Sequence, residues 1–111
     1  MQFKSASPSV KYLPRFKRSR LVAQAYIDTY DDASTRELYD RLLKQRHDIE
    51  QAFGGELLWS RMDGHRRISH RRRLPYDVNV EDRDAWPALW EWLVLTMGRL
   101  ANAVNPVLNR Y

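Results

Sequence analysis

The chain contains no cysteine, which removes disulfide staples and thiolate metal sites from consideration. A cysteine-free chain suits a reducing compartment, so a cytoplasmic location is the expectation. Glycine is scarce, at four residues, and none of them builds a phosphate-cradling loop or a G-x-S-x-G nucleophile elbow. Long hydrophobic runs are missing too. The most apolar stretch, residues 88–97, is interrupted by Glu91, and the opening MQFKSASPSVKYL holds no apolar segment of signal-peptide length. Neither a membrane span nor a targeting segment is expected. The histidines, His47, His65 and His70, lack zinc-ligand spacing, so no metal centre and no cofactor are expected. His70 would act as a general base only beside a nucleophile or a substrate, and the sequence places neither there.

What is present is a chain of 111 residues, 43% hydrophobic and 30% charged, with the composition of a folded domain and room for one modest core. Its net charge of +5 is unevenly spread: residues 1–20 hold six Lys or Arg and no acid, and residues 57–73 hold six Arg against Asp63 alone. Charge segregated in this way gives the surface a field with a direction, which suits a polyanionic partner.

The densest basic stretch is also the clearest structural signal. Residues 56–73, ELLWSRMDGHRRISHRRR, read as two strands around Asp63-Gly64, a two-residue type I′ turn signal. That register sets Trp59 opposite Ile68 and Leu57 opposite His70 on one face, and Leu58, Ser60, Met62, Arg67, Ser69, Arg71 and Arg73 on the other. Upstream, residues 1–20 read as a basic flexible arm, or as an edge strand over residues 11–16 where Pro14 is tolerable. Residues 21–28 alternate as a strand. A single helix follows, with a capping box from Ser34 to Glu37, an apolar side of Leu38, Leu42, Ile49 and Phe53, and a stop at Gly54-Gly55.

The last helix is expected to begin near Asp84, with Asp82 or Asp84 as its N-cap and Pro87 in its first turn. Its stripe of Trp86, Leu89, Trp90, Leu93, Met97, Leu100, Ala101 and Val104 anchors the core, and Asn105-Pro106 should end or kink it. Trp92 and Leu95 fall away from that stripe, which predicts a homodimer or partner contact through them. The expected fold is α+β: an antiparallel sheet of three or four strands with two helices on one face, in the order β-β-α-β-β-α. Residues 21–111 would form one domain behind the arm of residues 1–20.

Residues 74–84 carry Asp77, Glu81, Asp82 and Asp84, which invites a nuclease reading. A PD-(D/E)XK site needs two carboxylates to hold Mg²⁺ and a Lys to orient the attacking water, on adjacent strands. Pro75-Tyr76-Asp77 and Glu81-Asp82-Arg83 imitate the spelling without the Lys. A non-catalytic chain is therefore expected, with a small metal-dependent nuclease as the alternative.

Taken in order, Ala25-Tyr26-Ile27-Asp28, Glu37-Leu38-Tyr39, Ile49-Glu50 with Phe53-Gly54, Leu57 to Arg61, Arg67-Ile68, and Trp86-Pro87 with Glu91-Trp92-Leu93 resemble an uncharacterised bacterial domain family. Members of that family are usually the C-terminal module of PD-(D/E)XK nuclease-like proteins, some tied to defence or mobile elements. The resemblance implies packing rather than chemistry, and carries over no catalytic residue. The expectation is of a module standing alone, without the family's nuclease-like partner, and the Arg71-Arg72-Arg73 run is more basic than the family pattern.

The expectation from both lines is a non-catalytic nucleic-acid-binding accessory module of a nuclease or of a defence or anti-defence system. Lys17, Arg18, Arg20, Arg67, Arg71 and Arg73 would meet phosphates, and Tyr26 would stack on a base. The alternative is a protein-interaction module, an inhibitor, adaptor or dimerisation domain, that binds an acidic protein surface.

Overall fold

The computed structural model describes residues 5–17, 20–29, 31–62, 65–73 and 86–110. Strands β1 (Val10–Lys17) and β2 (Arg20–Ile27) lead into helices α1 (Asp32–Lys44) and α2 (Arg46–Phe53). Strands β3 (Leu58–Met62) and β4 (His65–Arg73) and helix α3 (Trp86–Leu108) follow. The four strands form one sheet in the order β1-β2-β4-β3, every neighbouring pair antiparallel. Two hairpins are thus joined along their inner strands. Trp59 pairs with Ile68, and Met62 with His65, as a two-residue connection requires. Asp63 and Gly64 themselves lie outside the described residues, as do Asp82 and Asp84.

Alternation along the strands sorts the sheet into two faces. One contributes Val10, Tyr12, Ala23, Ala25, Ile27 and Ile68 to a continuous core with Tyr39 and Leu42 of α1, Ile49 and Phe53 of α2, and Leu93, Met97, Leu100 and Val104 of α3. Ala23 and Ala25 are fully buried, and their small side chains let α3 lie close over β2. All helix–sheet packing among the described residues is on this face.

Three helices are present where two were expected, giving the order β-β-α-α-β-β-α. The expected single helix breaks at Gln45 (φ −99°, ψ 17°), whose N–H donates to Leu42 O at 2.9 Å, three residues back. The break lets α1 rest on the sheet while α2 leans on α3. The N-cap is also displaced from Ser34 to Asp31. The Asp31 carboxylate accepts from the Ser34 N–H at 2.7 Å and the Ser34 hydroxyl at 2.9 Å, and these bonds hold its carboxyl below the usual carboxylate range. Glu37, freed from capping, accepts from Arg41 one turn on, at 2.7 Å.

At the other end of α2, Gly54 supplies the expected stop with φ 97°, a left-handed conformation that costs glycine nothing. Arg99 of α3 closes that terminus. Its Nη2 and Nε donate to Phe53 O at 2.7 and 3.0 Å, and its guanidinium lies 4.4 Å from the centre of the Phe53 ring. Glu50 ties α2 to the start of β3, accepting from the Leu57 N–H at 2.6 Å and from Arg46 at 2.9 Å. Burial pushes the Glu50 carboxyl up, but these donors outweigh it and the group sits lower than usual.

Helix α3 departs from expectation in two places. Pro106 neither ends nor visibly shortens it, since the helix runs on to Leu108. Losing one N–H near a helix end costs up to about 3 kcal/mol, and burying Val107 and Leu108 returns about 1.5–3 kcal/mol each. Trp90, expected in the core stripe, is 47% exposed. At about 100° per residue it shares the azimuth of the buried Ala101 and Leu108, but lies near the start of the helix where that flank is not covered. Near its far end, Asn105 Oδ1 accepts from the Ala6 N–H at 3.0 Å and the Tyr12 hydroxyl at 2.7 Å, latching β1 onto α3. Burial raises the Tyr12 phenol well above its ordinary value, so it stays protonated and donating.

Candidate nucleic-acid interface

The second face of the sheet carries no helix among the described residues, and its register can be read as rows crossing the strands. The first row is Lys17–Arg20–Arg73, and the second is Arg15–Val22–Arg71. Next come Leu13–Gln24–Ser69–Leu58 and then Lys11–Tyr26–Arg67–Ser60. Every charged position in these rows is cationic. Adjacent strands lie about 4.8 Å apart and alternate residues about 6.7 Å along a strand, so the backbone positions of Lys17, Arg20, Arg73, Arg15 and Arg71 fall within about 10 Å by 7 Å.

Two neighbouring arginines show how alternation assigns roles. Arg67 lies on this face, directly across from Tyr26, with its guanidinium 5.8 Å from the ring centre. Arg66 points the other way: it is 6% exposed and its Nη1 donates to Asp32 Oδ1 at 3.1 Å, at the start of α1. Half of the adjacent Arg66-Arg67 pair is therefore spent on holding helix to sheet.

Of the residues expected to meet a polyanion, the register brings Lys17, Arg20, Tyr26, Arg67, Arg71 and Arg73 onto this one face. Arg18 lies outside the described residues. Sequence reasoning missed Lys11 and Arg15, which share the parity of Lys17 along β1. The signal was available: reading residues 10–17 as a strand throughout would have put Lys11, Arg15 and Lys17 on one side.

The expected contact through Trp92 and Leu95 is split by the fold. Leu95 is 61% exposed, but Trp92 is half-buried against the core and stacks on His70, with ring centres 6.0 Å apart and planes 29° apart. His70 also meets Phe53, with ring centres 5.3 Å apart. Burial, with help from the positive charge of Arg99, holds the His70 imidazole below its ordinary pKa of 6.5. It is a neutral wedge between helices and sheet, away from the cationic face. No group of three or more His, Asp or Glu able to hold a metal ion occurs among the described residues, and the acids of residues 77–84 fall outside them. No described helix is long and apolar enough to cross a membrane.

The fold and this surface together define a small α+β domain: one antiparallel sheet backed by helices, presenting a row-ordered cationic face. The chain belongs to the family DUF4268, a domain of unknown function, whose profile matches residues 1–108. No curated protein and no solved structure matches it.

Proposed function

We propose that the chain is a non-catalytic nucleic-acid-binding module that holds phosphates on the helix-free face of its sheet. The observation that carries the reading is that Lys11, Arg15, Lys17, Arg20, Arg67, Arg71 and Arg73 occupy strand positions of that face with no acidic residue among them. Cations so placed contact phosphates without reading sequence, so affinity is expected to depend steeply on salt. If about four to six phosphates are engaged, log Kd against log salt has a slope of roughly 0.7–0.9 per contact. Replacing Arg71 and Arg73 together with Ser should weaken binding and flatten that slope, with no change in sequence preference. Binding that ignores salt, or none at low salt, would overturn the proposal.

The sequence resemblance supports, as part of this proposal, a place as accessory to a nuclease-like partner, in a defence or anti-defence setting, in the cytoplasm. Catalysis would be the partner's. Plasmid and single-stranded substrates incubated with the chain and Mg²⁺ or Mn²⁺ should stay intact, whereas cleavage lost on Asp77→Ala or Glu81→Ala would assign the acids of residues 77–84 a catalytic role. A second reading, a protein-interaction surface, is favoured by the exposure of Trp90 and Leu95 on α3. Light scattering of the unaltered chain and of Leu95→Lys tests for self-association there.

A further inference from the structure

The rows of the helix-free face differ in character, and the difference bears on which form of nucleic acid fits. Cations crowd the first two rows. The third, Leu13–Gln24–Ser69–Leu58, is uncharged; its end members are 40% and 45% exposed, and Gln24 and Ser69 between them are buried. Beyond it, Arg67 lies against the Tyr26 ring, pairing a guanidinium with an aromatic ring at the far bank. A line of phosphates along the first two rows would leave the attached bases over the neutral row and this pair.

A duplex does not suit this surface. The major groove is about 12 Å wide and admits a helix or a two-stranded ribbon. A four-stranded sheet spans about 14 Å between its outer backbones before side chains are added, so it cannot enter. Against the outside of a duplex, the neutral row and Tyr26 would meet no base. A single strand offers one line of phosphates and unstacked base faces, which aromatic rings and Arg planes bind whatever the sequence.

A separate observation points to the same ligand. Gln24 is 7% exposed and its Oε1 has no hydrogen-bond partner, and Arg67 Nε is likewise buried and unpartnered. Buried polar atoms left unpaired are costly and uncommon. These two sit on adjacent rows of one face, an acceptor beside a donor, and the Watson–Crick edge of each base, free in a single strand, offers a donor and an acceptor in return. Both atoms are shielded, so a base reaches them only once the groups that cover them move aside.

We infer that this face binds single-stranded nucleic acid, with phosphates on the rows of Arg15 to Arg73 and bases over Gln24, Tyr26 and Arg67. The inference rests on the nucleic-acid reading above and narrows it to one strand. The test is fluorescence anisotropy with a labelled 20-nucleotide single strand and a 20-base-pair duplex, each measured at several salt concentrations. The single strand should bind at least tenfold more tightly at equal salt. Tyr26→Ala should lower single-strand affinity about 5- to 100-fold and leave duplex affinity unchanged. Arg67→Lys, which keeps the charge and loses the plane, should weaken the single strand more than the duplex. Circular dichroism checks that each variant folds, and Tyr26→Leu replaces Tyr26→Ala if the smaller side chain does not. Equal or tighter duplex binding, or equal losses on both probes, overturns the single-strand inference and leaves the phosphate reading standing. Absence of binding to both probes at low salt overturns the phosphate reading itself.

Discussion

On the helix-covered side of β4, Arg66, Ile68 and His70 face α1, the core and the Phe53–Trp92 pair in turn. The positions of Arg67, Ser69, Arg71 and Arg73 alternate onto the other side of the same strand. The residue types overlap, since each side has arginine, yet their physical roles diverge. A cation under helices must be matched, as Asp32 matches Arg66, whereas the cationic positions of the other side share their rows with no carboxylate. Such a surface costs some stability through like-charge repulsion, which salt or a polyanion relieves. Strand parity, more than sequence proximity, separates Arg66, which holds helix to sheet, from the arginines placed on the other side of β4.

The largest expected effect breaks the covered side. Ile68→Ala should cost about 2–5 kcal/mol, read from urea unfolding, while the folded fraction keeps its polyanion affinity. Arg71→Ser with Arg73→Ser should do the reverse, changing stability by no more than about 0.5 kcal/mol and lowering the salt slope of binding. If Ile68→Ala alters affinity of the folded chain as strongly as the arginine pair does, the two sides are not separable.

A finer comparison sets Arg66→Ala against Arg67→Ala. Asp32 is well exposed, so losing Arg66 strands no buried charge, and the cost is packing and one charged hydrogen bond, about 1–2 kcal/mol. Arg67→Ala should leave the melting temperature nearly unchanged and weaken polyanion binding. Equal destabilisation by the two would contradict the assignment by parity.

The smallest effect is set by pH. His70 has a folded pKa below 6.5, so the unfolded chain binds the proton more readily. Its contribution is present above about pH 6.5 and is lost as pH falls toward the lower folded value. Urea midpoints should therefore decline from pH 7.5 to 5.5, and His70→Phe should remove part of that decline. A decline that is unchanged in His70→Phe would place its source elsewhere.

Much of this was legible because strand alternation and hairpin register are local properties. Trp59 opposite Ile68 followed from two apolar positions and a two-residue turn, and the cationic face of β4 came with it. Lys11 and Arg15 were hidden because Pro14 and the polar residues around Pro8 suggested an arm, although β1, as an edge strand, tolerates a residue with no N–H. The break at Gln45 has no Gly or Pro to announce it, and depends on where α3 lies. Asp31 and Ser34 are both competent caps, and the Thr29–Thr35 hydrogen bond at the entry to α1 accompanies the choice of Asp31. Trp90 and Trp92 share a residue type and nearly a position, so only the packing of His70 and Phe53 distinguishes the exposed one from the stacked one.

The latch at Asn105 has a consequence for how the chain comes into being. It joins residues 99 and 93 positions apart, so the amide that holds Ala6 and Tyr12 is made long after they are. At about 5–20 residues per second, the first strand waits roughly 5–20 seconds on the ribosome for its fastening to be synthesised. During that interval the β1–β2 hairpin can pair locally while its outer edge remains unsecured. A chain halted before residue 105 should thus be cut by trypsin at Arg15 far faster than the finished one.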